Sequence, residues 1–301
     1  MCPAPDDGAM RVTEPLARGG RPVEDVPVLR VREGVARGAS DAVAAEEPLE
    51  IQLDGERVGI TMRTPTPGED AELALGFLLG EAIVAMEGVA RVVECNSGAD
   101  DGGAAADVRM RPGAHKAEGW QRRFYTTSSC GICGTDSIEA VRAAAPPLRA
   151  GPEIDAAVLG GLPTALRTRQ RTFERTGGLH AAGLFTAAGA LEVLREDVGR
   201  HNAVDKVVGR AAMQGLLPLR EHVLLVSGRV SFEIVQKALV AGIPFLAAVS
   251  APSSLAVRLA REAGMTLVGF LREGDFNVYA GRERVSGLQE GAIGRSSAVR
   301  I

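Results

Sequence analysis

Two cysteines separated by only two residues form the part of the sequence best suited to chemistry. Cys130 and Cys133 lie in a short run that also carries Gly131 and Gly134. Glycine adopts positive φ at little cost, so the backbone of this run can turn tightly around the two sulfurs. Asp136, with a glutamate three residues later, is typical of a helix start, and a helix N-terminus lowers the pKa of a nearby cysteine. The run therefore predicts a reactive thiolate.

Three other uses of such a pair find less support in the sequence. Structural zinc needs four ligands, but the remaining cysteines are the isolated Cys2 and Cys95, and the four histidines show no metal-ligand spacing. A permanent disulfide is not expected, because no secretory signal is seen and we expect a reducing compartment. A thioredoxin-type pair would open the first long helix after a strand near the chain start. We therefore predict no bound metal and favour redox or sulfur-transfer chemistry.

Composition argues against two broad classes of function. The 301 residues carry a formal net charge of -4, whereas general nucleic-acid binding needs a basic surface. Hydrophobic residues make up 46% of the chain, but no run of them is long enough to span a bilayer. We therefore expect a soluble cytoplasmic protein with neither a nucleic-acid nor a membrane partner.

The first part of the chain predicts a small α+β region behind a tail. Residues 1–45 show no sustained periodicity, and we expect a flexible tail there. Residues 48–62 alternate as a hairpin around Asp54 and Gly55. The other elements expected here are a helix over 69–86, strands over 89–95, 107–111 and 121–125, and an exposed, glycine-rich loop over 96–106.

After the cysteine run, helices and strands alternate, which is typical of a layered α/β sheet with crossover helices. The run at 223–226 is wholly apolar, as expected for a strand that is covered on both faces. We predict helices over 136–144, 155–169, 201–215, 231–241 and 253–263, and strands over 181–186, 191–195, 223–226, 245–249 and 266–270.

Polar residues directly follow two of these strands. Ser227 and Arg229 come after the strand at 223–226, and Ser250 and Ser253 come after the next strand. Ligands of open α/β sheets bind at the carboxyl ends of strands, where helix N-termini and arginine attract phosphates. Ser231 and Ser253 are also natural helix N-caps, and they would look the same without a ligand. Because two equivalent loops carry the pattern, we favour a phosphate-bearing ligand.

A dense polar run at 195–206 has two interpretations. His201 and Asp205 are four residues apart and share one helical face. A charged helix cap with surface ion pairs is the simpler interpretation. Alternatively, the run forms the floor of a polar pocket near the thiols, where His180 or His201 deprotonates a cysteine or orients a substrate. Arg272, after the last strand, either reaches an anionic ligand at the same sheet edge or belongs to a simple turn.

Taken together, these segments resemble the formate dehydrogenase accessory sulfurtransferases of the FdhD/NarQ type. A Cys-x-x-Cys pair alone would be weak evidence, but the combination of motifs in this order is specific. The resemblance covers about residues 46–285 and rests on the segments 129–134, 176–185, 195–206, 225–237 and 248–255.

The resemblance implies a sulfur carrier. Cys130 would hold a persulfide supplied by a cysteine desulfurase, with Cys133 as its companion thiol. The sulfur would pass to the molybdenum bis-guanine-dinucleotide cofactor, bound as a substrate, before that cofactor enters formate dehydrogenase. Members of the family are homodimers. Their cofactor contact corresponds to Phe270, Leu271, Arg272, Glu273, Gly274 and Asp275.

The resemblance also implies a fold. We expect a cytidine-deaminase-like layered α/β domain over 126–285 and a smaller α+β domain over 46–125, with tails at 1–45 and 286–301. The zinc deaminase signature, His-x-Glu with Pro-Cys-x-x-Cys, is absent from the sequence. Neither zinc nor deamination is therefore expected, since a shared fold does not imply a shared function.

Two other functions compete with the sulfur carrier. A dithiol oxidoreductase would cycle both cysteines through a disulfide. A cofactor chaperone would bind the guanine dinucleotide cofactor and need neither cysteine. The chemistry of the residues alone leaves the oxidoreductase close to the carrier, and the family resemblance is what favours the carrier.

Overall fold

A two-stranded ribbon begins the described structure. The computed structural model describes residues 20–96, 103–116, 148 and 151–289. β1 (Val23–Arg32) and β2 (Val35–Ala44) pair antiparallel through a tight turn, in which Glu33 and Gly34 have φ of 49° and 79°. The flexible tail predicted over 1–45 is therefore wrong from Val23 onward. Most side chains of both strands face solvent, so the apolar alternation of a half-buried strand is missing there.

A four-stranded sheet and one helix follow the ribbon. Their elements are β3 (Glu47–Leu53), β4 (Glu56–Arg63), α1 (Asp70–Gly80), β5 (Val89–Asn96) and β6 (Ala104–Met110). The strand order is β4-β3-β6-β5, with β3 and β6 parallel. The predicted hairpin is confirmed as β3 and β4, and its alternating residues Leu49, Ile51 and Leu53 are buried in one core with the apolar residues of α1.

Two boundaries in this unit differ from the expected ones. α1 ends at Gly80 rather than near residue 86, because Ala82 adopts a left-handed φ of 52° and the Ile83 N–H turns back to the Leu78 carbonyl. The loop predicted over 96–106 is shorter than expected, because β6 already begins at Ala104. Its alanines pair with β3 and β5, and small side chains gave no strand signal in the sequence.

The second half of the chain folds into a six-stranded mixed sheet with helices on both faces. In chain order its elements are β7 (Ile154–Asp155), α2 (Ala156–Arg167), α3 (Arg171–Thr176), β8 (His180–Thr186), β9 (Leu191–Asp197), α4 (Arg200–Met213), β10 (His222–Val226), α5 (Phe232–Val240), β11 (Phe245–Ala248), α6 (Ser254–Glu262), β12 (Thr266–Arg272), β13 (Asp275–Ala280) and β14 (Val285–Ser286). The sheet has the order β13-β12-β11-β10-β8-β9, in which β10, β11 and β12 are parallel. β14 and β7 form a small parallel pair beside it.

Apolar side chains of this sheet alternate between two cores. Leu224 and Leu246 belong to a core shared with α4, α5 and α6, whereas Leu225 and Phe245 belong to one shared with α2. The apolar strand at 223–226 is thus covered on both faces, as predicted. The mixed α/β class is confirmed, while the cytidine-deaminase-like layout and the division into domains stay predictions.

The two units meet where α1 crosses α4. A Cβ added at Gly76 of α1 would overlap the backbone carbonyl of Asp205, and one added at Gly209 of α4 would overlap the carbonyl of Glu72. Neither position has room for a side chain, so the two helix backbones approach as closely as glycine permits. This crossing fixes the smaller sheet against the larger one.

The predicted helix over 136–144 and the strand over 121–125 lie outside the described residues, as do residues 290–301. Within the described ranges, no helix is long and apolar enough to cross a membrane.

Candidate functional site

The loops that follow β10 and β11 are joined by backbone hydrogen bonds. The Val230 N–H donates to the Ala251 carbonyl at 3.1 Å, and the Ser253 N–H donates to the Val230 carbonyl at 2.9 Å. The Phe270 N–H of β12 donates to the Ser250 carbonyl at 3.1 Å. Three segments at the carboxyl ends of parallel strands therefore form one continuous edge, as the sequence predicted for the two serine-bearing loops. We refer to Ser227–Arg229, Ser250–Ser253 and Phe270–Asp275 together as the sheet edge.

Phe270 is the most unusual residue of the sheet edge. Its φ is 54°, a left-handed value that is a genuine outlier for a bulky aromatic residue, and its side chain is 42% exposed. The pairing of β12 with β13 is interrupted between Gly269 and Arg272, so Phe270 lies in a bulge. Backbone strain together with an exposed aromatic ring is a combination typical of binding sites.

The rest of the predicted cofactor stretch divides into buried and exposed parts. Leu271 is fully buried in the core, so its side chain does not reach the surface of the sheet edge. Arg272 and Asp275 pair across a tight turn formed by Glu273 and Gly274, which have φ of 46° and 98°. The turn that the sequence offered as one interpretation is therefore present. The side chain of Arg272 is exposed at this turn.

The sheet edge that contains Phe270 also carries exposed arginines. Arg229 and Arg272 are both exposed, and the side chain of neither makes a hydrogen bond or ion pair among the described residues. The structure adds Arg200, at the start of α4, whose buried Nε has no hydrogen-bond partner within the same ranges. Guanidinium groups bind anionic parts of a ligand, and an exposed aromatic ring binds planar parts.

The serines of the sheet edge also serve the fold. The Ser227 hydroxyl accepts from the Ala181 N–H at 2.9 Å, which ties β10 to β8. The Ser253 hydroxyl accepts from the Ala256 N–H at 3.2 Å and caps α6. The capping interpretation is thus confirmed for Ser253, whereas the Ser231 hydroxyl makes no capping bond to α5.

His180 lies beside the sheet edge and lines a groove of about 600 Å³. A Cβ on Gly228 would lie 3.2 Å from its Nδ1 and 3.5 Å from the Cβ of Arg200, so these residues are adjacent. Burial lowers the pKa of His180 from 6.5, and the charges of Arg200 and Arg229 lower it further, while Asp197 opposes them. The histidine is therefore neutral at pH 7. The groove is also lined by Pro163, Leu166, Gln170, Phe173, Ser227 and Val249.

His201 lies in the first turn of α4, directly after Arg200. Its Nε2 is 3.2 Å from the Ser231 hydroxyl and 3.9 Å from Glu233. Burial, followed by the charges of Arg200 and Lys237, lowers the pKa of His201 to about 4. At neutral pH the imidazole is uncharged, so it positions Ser231 as a hydrogen-bond partner and is a weak base.

The polar run at 195–206 makes buried ion pairs. Asp197 and Lys206 are fully buried, 2.8 Å apart, and Lys206 also lies 3.0 Å from Glu69 at the start of α1. Asp197 accepts further bonds from the backbone N–H groups of Thr64 and Gly199. The interpretation as surface ion pairs is therefore wrong. Two of the partners, Thr64 and Glu69, lie more than a hundred residues away in sequence, where no local pattern identifies them.

Further pairs extend this network across both units. The guanidinium of Arg195 on β9 donates to Glu72 of α1 at 2.8 Å. Lys237 on α5 lies 2.9 Å from both Asp205 and Glu81. Burial alone would lower the pKa of Lys237, but the two carboxylates outweigh it and raise that pKa above the ordinary lysine value. The run thus holds the smaller sheet and α1 against the larger sheet.

The predicted catalytic cysteines, Cys130 and Cys133, lie outside the described residues. Cys95 is buried at the end of β5 and is disulfide-bonded, which differs from the expectation of reduced cysteines. Among residues 20–96, 103–116 and 151–289, no group of three or more His, Cys, Asp or Glu side chains is arranged to hold a metal.

The protein is thus a mixed α/β structure whose sheet edge exposes two arginines, Arg229 and Arg272, together with two acids, Glu273 and Asp275. The profile of the FdhD/NarQ family matches residues 44–286. The chain is 53% identical to the sulfur carrier protein FdhD of Streptomyces avermitilis, over 89% of this chain and 97% of that protein. It is 52% identical to the sulfur carrier protein FdhD of Mycolicibacterium paratuberculosis, over 86% and 97% of the two chains.

A solved structure supports the same relationship. The crystal structure assigned as a formate dehydrogenase accessory protein from Desulfotalea psychrophila matches with a TM-score of 0.70 at 25% identity, covering 88% of this chain and all of that one. The chain belongs to the FdhD/NarQ family, which confirms the resemblance drawn from its motifs.

Proposed function

We propose that this protein is a sulfur carrier that serves formate dehydrogenase. The thiolate of Cys130 attacks the terminal sulfur of a persulfide on a cysteine desulfurase. The S–S bond of the donor breaks, its cysteine leaves as a thiolate, and Cys130 keeps the terminal sulfur as a persulfide. Cys133 is the companion thiol. The sulfur is destined for the molybdenum bis-guanine-dinucleotide cofactor, bound as a substrate, before formate dehydrogenase receives it.

The observation that carries this proposal is similarity over nearly the whole chain to proteins named as sulfur carriers, at 53% identity for the Streptomyces avermitilis protein. The solved relative from Desulfotalea psychrophila is assigned as a formate dehydrogenase accessory protein, which supports that enzyme as the recipient. The setting proposed for this transfer is the cytoplasm, and the proposed active form is a homodimer.

The sheet edge suits the proposed substrate. A guanine dinucleotide cofactor carries phosphates and planar bases. Arg229 and Arg272, exposed and without partners in the described ranges, are suited to the phosphates. The exposed ring of Phe270 is suited to a base, because stacking on an aromatic side chain contributes about 1–3 kcal/mol per base. Ser250 and His180 lie beside these residues and would shape the same site.

Intact-protein mass spectrometry after incubation with a cysteine desulfurase and cysteine tests the carrier chemistry. We expect wild type to gain about 32 Da, one persulfide sulfur, and to lose it on reduction. Cys130→Ala should gain nothing and keep the wild-type circular dichroism spectrum. Full loading of that variant would overturn the assignment of Cys130. No loading of either protein would instead favour the chaperone or the dithiol oxidoreductase.

Titration with GDP tests the sheet edge separately, because it requires no sulfur. We expect Phe270→Ala and Arg272→Ala each to weaken GDP binding about tenfold or more, as measured by isothermal calorimetry. Arg220→Ala is the matched control, since Arg220 is exposed at the opposite end of β10. Equal affinity in all three variants and wild type would place the nucleotide elsewhere.

A further inference from the structure

The outer edge of β2 is an open strand edge in the described structure. β1 and β2 form a sheet of their own, and no other strand of the described ranges pairs with them. A two-stranded ribbon is marginally stable by itself in water, and an open edge invites pairing with another chain. Val35 and Val43 of β2 are 56% and 37% exposed on this ribbon. Helix α3 packs near β2, but no strand of the described ranges pairs with its outer edge.

The outer edge of β1 cannot pair fully with another strand because it contains Pro27, whereas the outer edge of β2 contains no proline. Pro27 of β1 lies opposite Ser40 of β2. Proline has no N–H, so within a ladder it lies where its nitrogen faces away from the partner strand. Ser40, directly opposite, then also turns its N–H and carbonyl outward. In agreement, the Ser40 carbonyl accepts from the Arg30 guanidinium at 3.2 Å.

The side chains of β2 are arranged almost symmetrically about Ala39. Val35 and Val43 lie four residues on either side of it, and Arg37 and Asp41 lie two residues on either side. An antiparallel second copy of β2 centred on Ala39 would place Arg37 opposite Asp41 of that copy, and Val35 opposite Val43. The outward-facing residues 36, 38, 40 and 42 would then oppose one another, as an antiparallel ladder requires.

Charge favours this register. Arg37 has no ion pair among the described residues and lies directly opposite Arg30, a like charge that destabilises the ribbon. Asp41 is 59% exposed and lies 3.3 Å from Arg30. A carboxylate from a second copy would neutralise Arg37. Exposed ion pairs add little affinity, so these charges would select the register, while backbone bonds and valine contacts hold the strands.

We propose that the outer edge of β2 is the surface through which two copies of this chain associate, antiparallel about Ala39. The result is a four-stranded sheet in the order β1-β2-β2-β1, with the same patch on both subunits. The proposal rests on the homodimer that accompanies the proposed function, and it is independent of the sulfur chemistry.

Analytical ultracentrifugation of the full chain tests this interface. We expect a dimer for wild type and an at least tenfold weaker dimer for Arg37→Glu, because both symmetric ion pairs become repulsive. The double variant Arg37→Glu/Asp41→Arg exchanges the two charges and should restore the dimer. Ser40→Pro removes only an outward N–H and should yield a folded monomer. Arg32→Glu is the matched control on β1, and it should dimerise like wild type.

The outcomes of these experiments test the β2 interface separately from the proposed sulfur-carrier function. If Arg37→Glu and Ser40→Pro dimerise like wild type, the homodimer stands but its interface lies elsewhere, and the proposal is overturned. If wild type is a monomer at micromolar concentration, both the homodimer and this interface are wrong. Persulfide loading of Cys130 in the same preparations reports on the sulfur carrier in either case.

Discussion

At His201, burial and two neighbouring cations act on one imidazole in the same direction. The ring is held beside Ser231, the residue before α5, whose hydroxyl does not cap that helix. Since Arg200 and Lys237 both oppose protonation, the ring is neutral at physiological pH and stays so in weak acid. We infer that His201 sets the orientation of the loop between β10 and α5 through a neutral hydrogen bond.

The depressed pKa of His201 predicts a pH-dependent stability. The unfolded chain binds the His201 proton near pH 6.5, but the folded protein does so only near pH 4, so the free energy of unfolding falls as pH drops through this window. Allowing for partial exposure of the ring, the loss is about 1–2 kcal/mol. Urea denaturation at pH 7 and 4.5 measures it. His201→Gln should show a smaller difference between the two pH values, and an unchanged difference would contradict the assignment.

Individual residues were predictable from the sequence where their partners are local. Asp155 and Ser253 cap α2 and α6 through bonds to N–H groups two and three residues away. Ser231 occupies the same kind of position, but its hydroxyl bonds to His201 on another helix. Phe270 gave no sequence signal of its strain, because a positive φ is imposed by the bulge and by the bond to Ser250.

At the scale of elements, the crossing of α1 and α4 leaves no room for an added side chain. We expect Gly76→Ala to destabilise the protein by about 3 kcal/mol or more, because the added methyl group would force two helix backbones apart. The free energy of unfolding from chemical denaturation measures the effect. Gly209→Ala, on the facing helix, should behave in the same way.

Gly161→Ala is the matched control for the crossing. Gly161 lies in α2 with open space around it, so alanine should stabilise the helix by about 0.5–1 kcal/mol. If Gly76→Ala were as well tolerated as this control, the close approach of the helices would be wrong.

The elements that the sequence predicted best are those with strong periodicity. β10 and helices α4, α5 and α6 overlap the predicted ranges. The short helix α3 and the β1–β2 ribbon, which were not predicted, lack that signal. α3 is a single short turn of helix held at its start by Glu196, which accepts from the Thr172 and Phe173 N–H groups. The ribbon of β1 and β2 is exposed on both faces.

For the whole molecule, buried charge is what joins the two units. Lys206 of α4 lies between Asp197 of β9 and Glu69 beside α1, and all three belong to different elements. The sequence shows many acids and bases, but nothing in it states which acid meets which base across more than a hundred residues. The polar run was therefore recognised as important, while its role in joining the sheets was not.

Removing the central cation should destabilise the whole molecule. We expect Lys206→Met to lower the free energy of unfolding by about 3–5 kcal/mol, because it leaves Asp197 buried without its cation. Arg57→Met is the control, since Arg57 pairs with Glu50 at the surface and should cost less than about 1 kcal/mol. Equal effects of the two substitutions in urea denaturation would show that the network contributes no more than a surface pair.

The three consecutive residues Arg195, Glu196 and Asp197 have a consequence for β9, which is an edge strand of the six-stranded sheet. The register of a strand is weakly specified when few of its side chains are buried, and β9 buries only two, Val193 and Asp197. Here each side chain has a different partner. Arg195 bonds to Glu72 on α1, Glu196 accepts from the N-terminus of α3, and Asp197 pairs with Lys206 on α4. A shift by one residue would send all three to the wrong partner at once. The tripeptide therefore specifies a single register for β9, and it disfavours mispaired registers of this edge strand during folding.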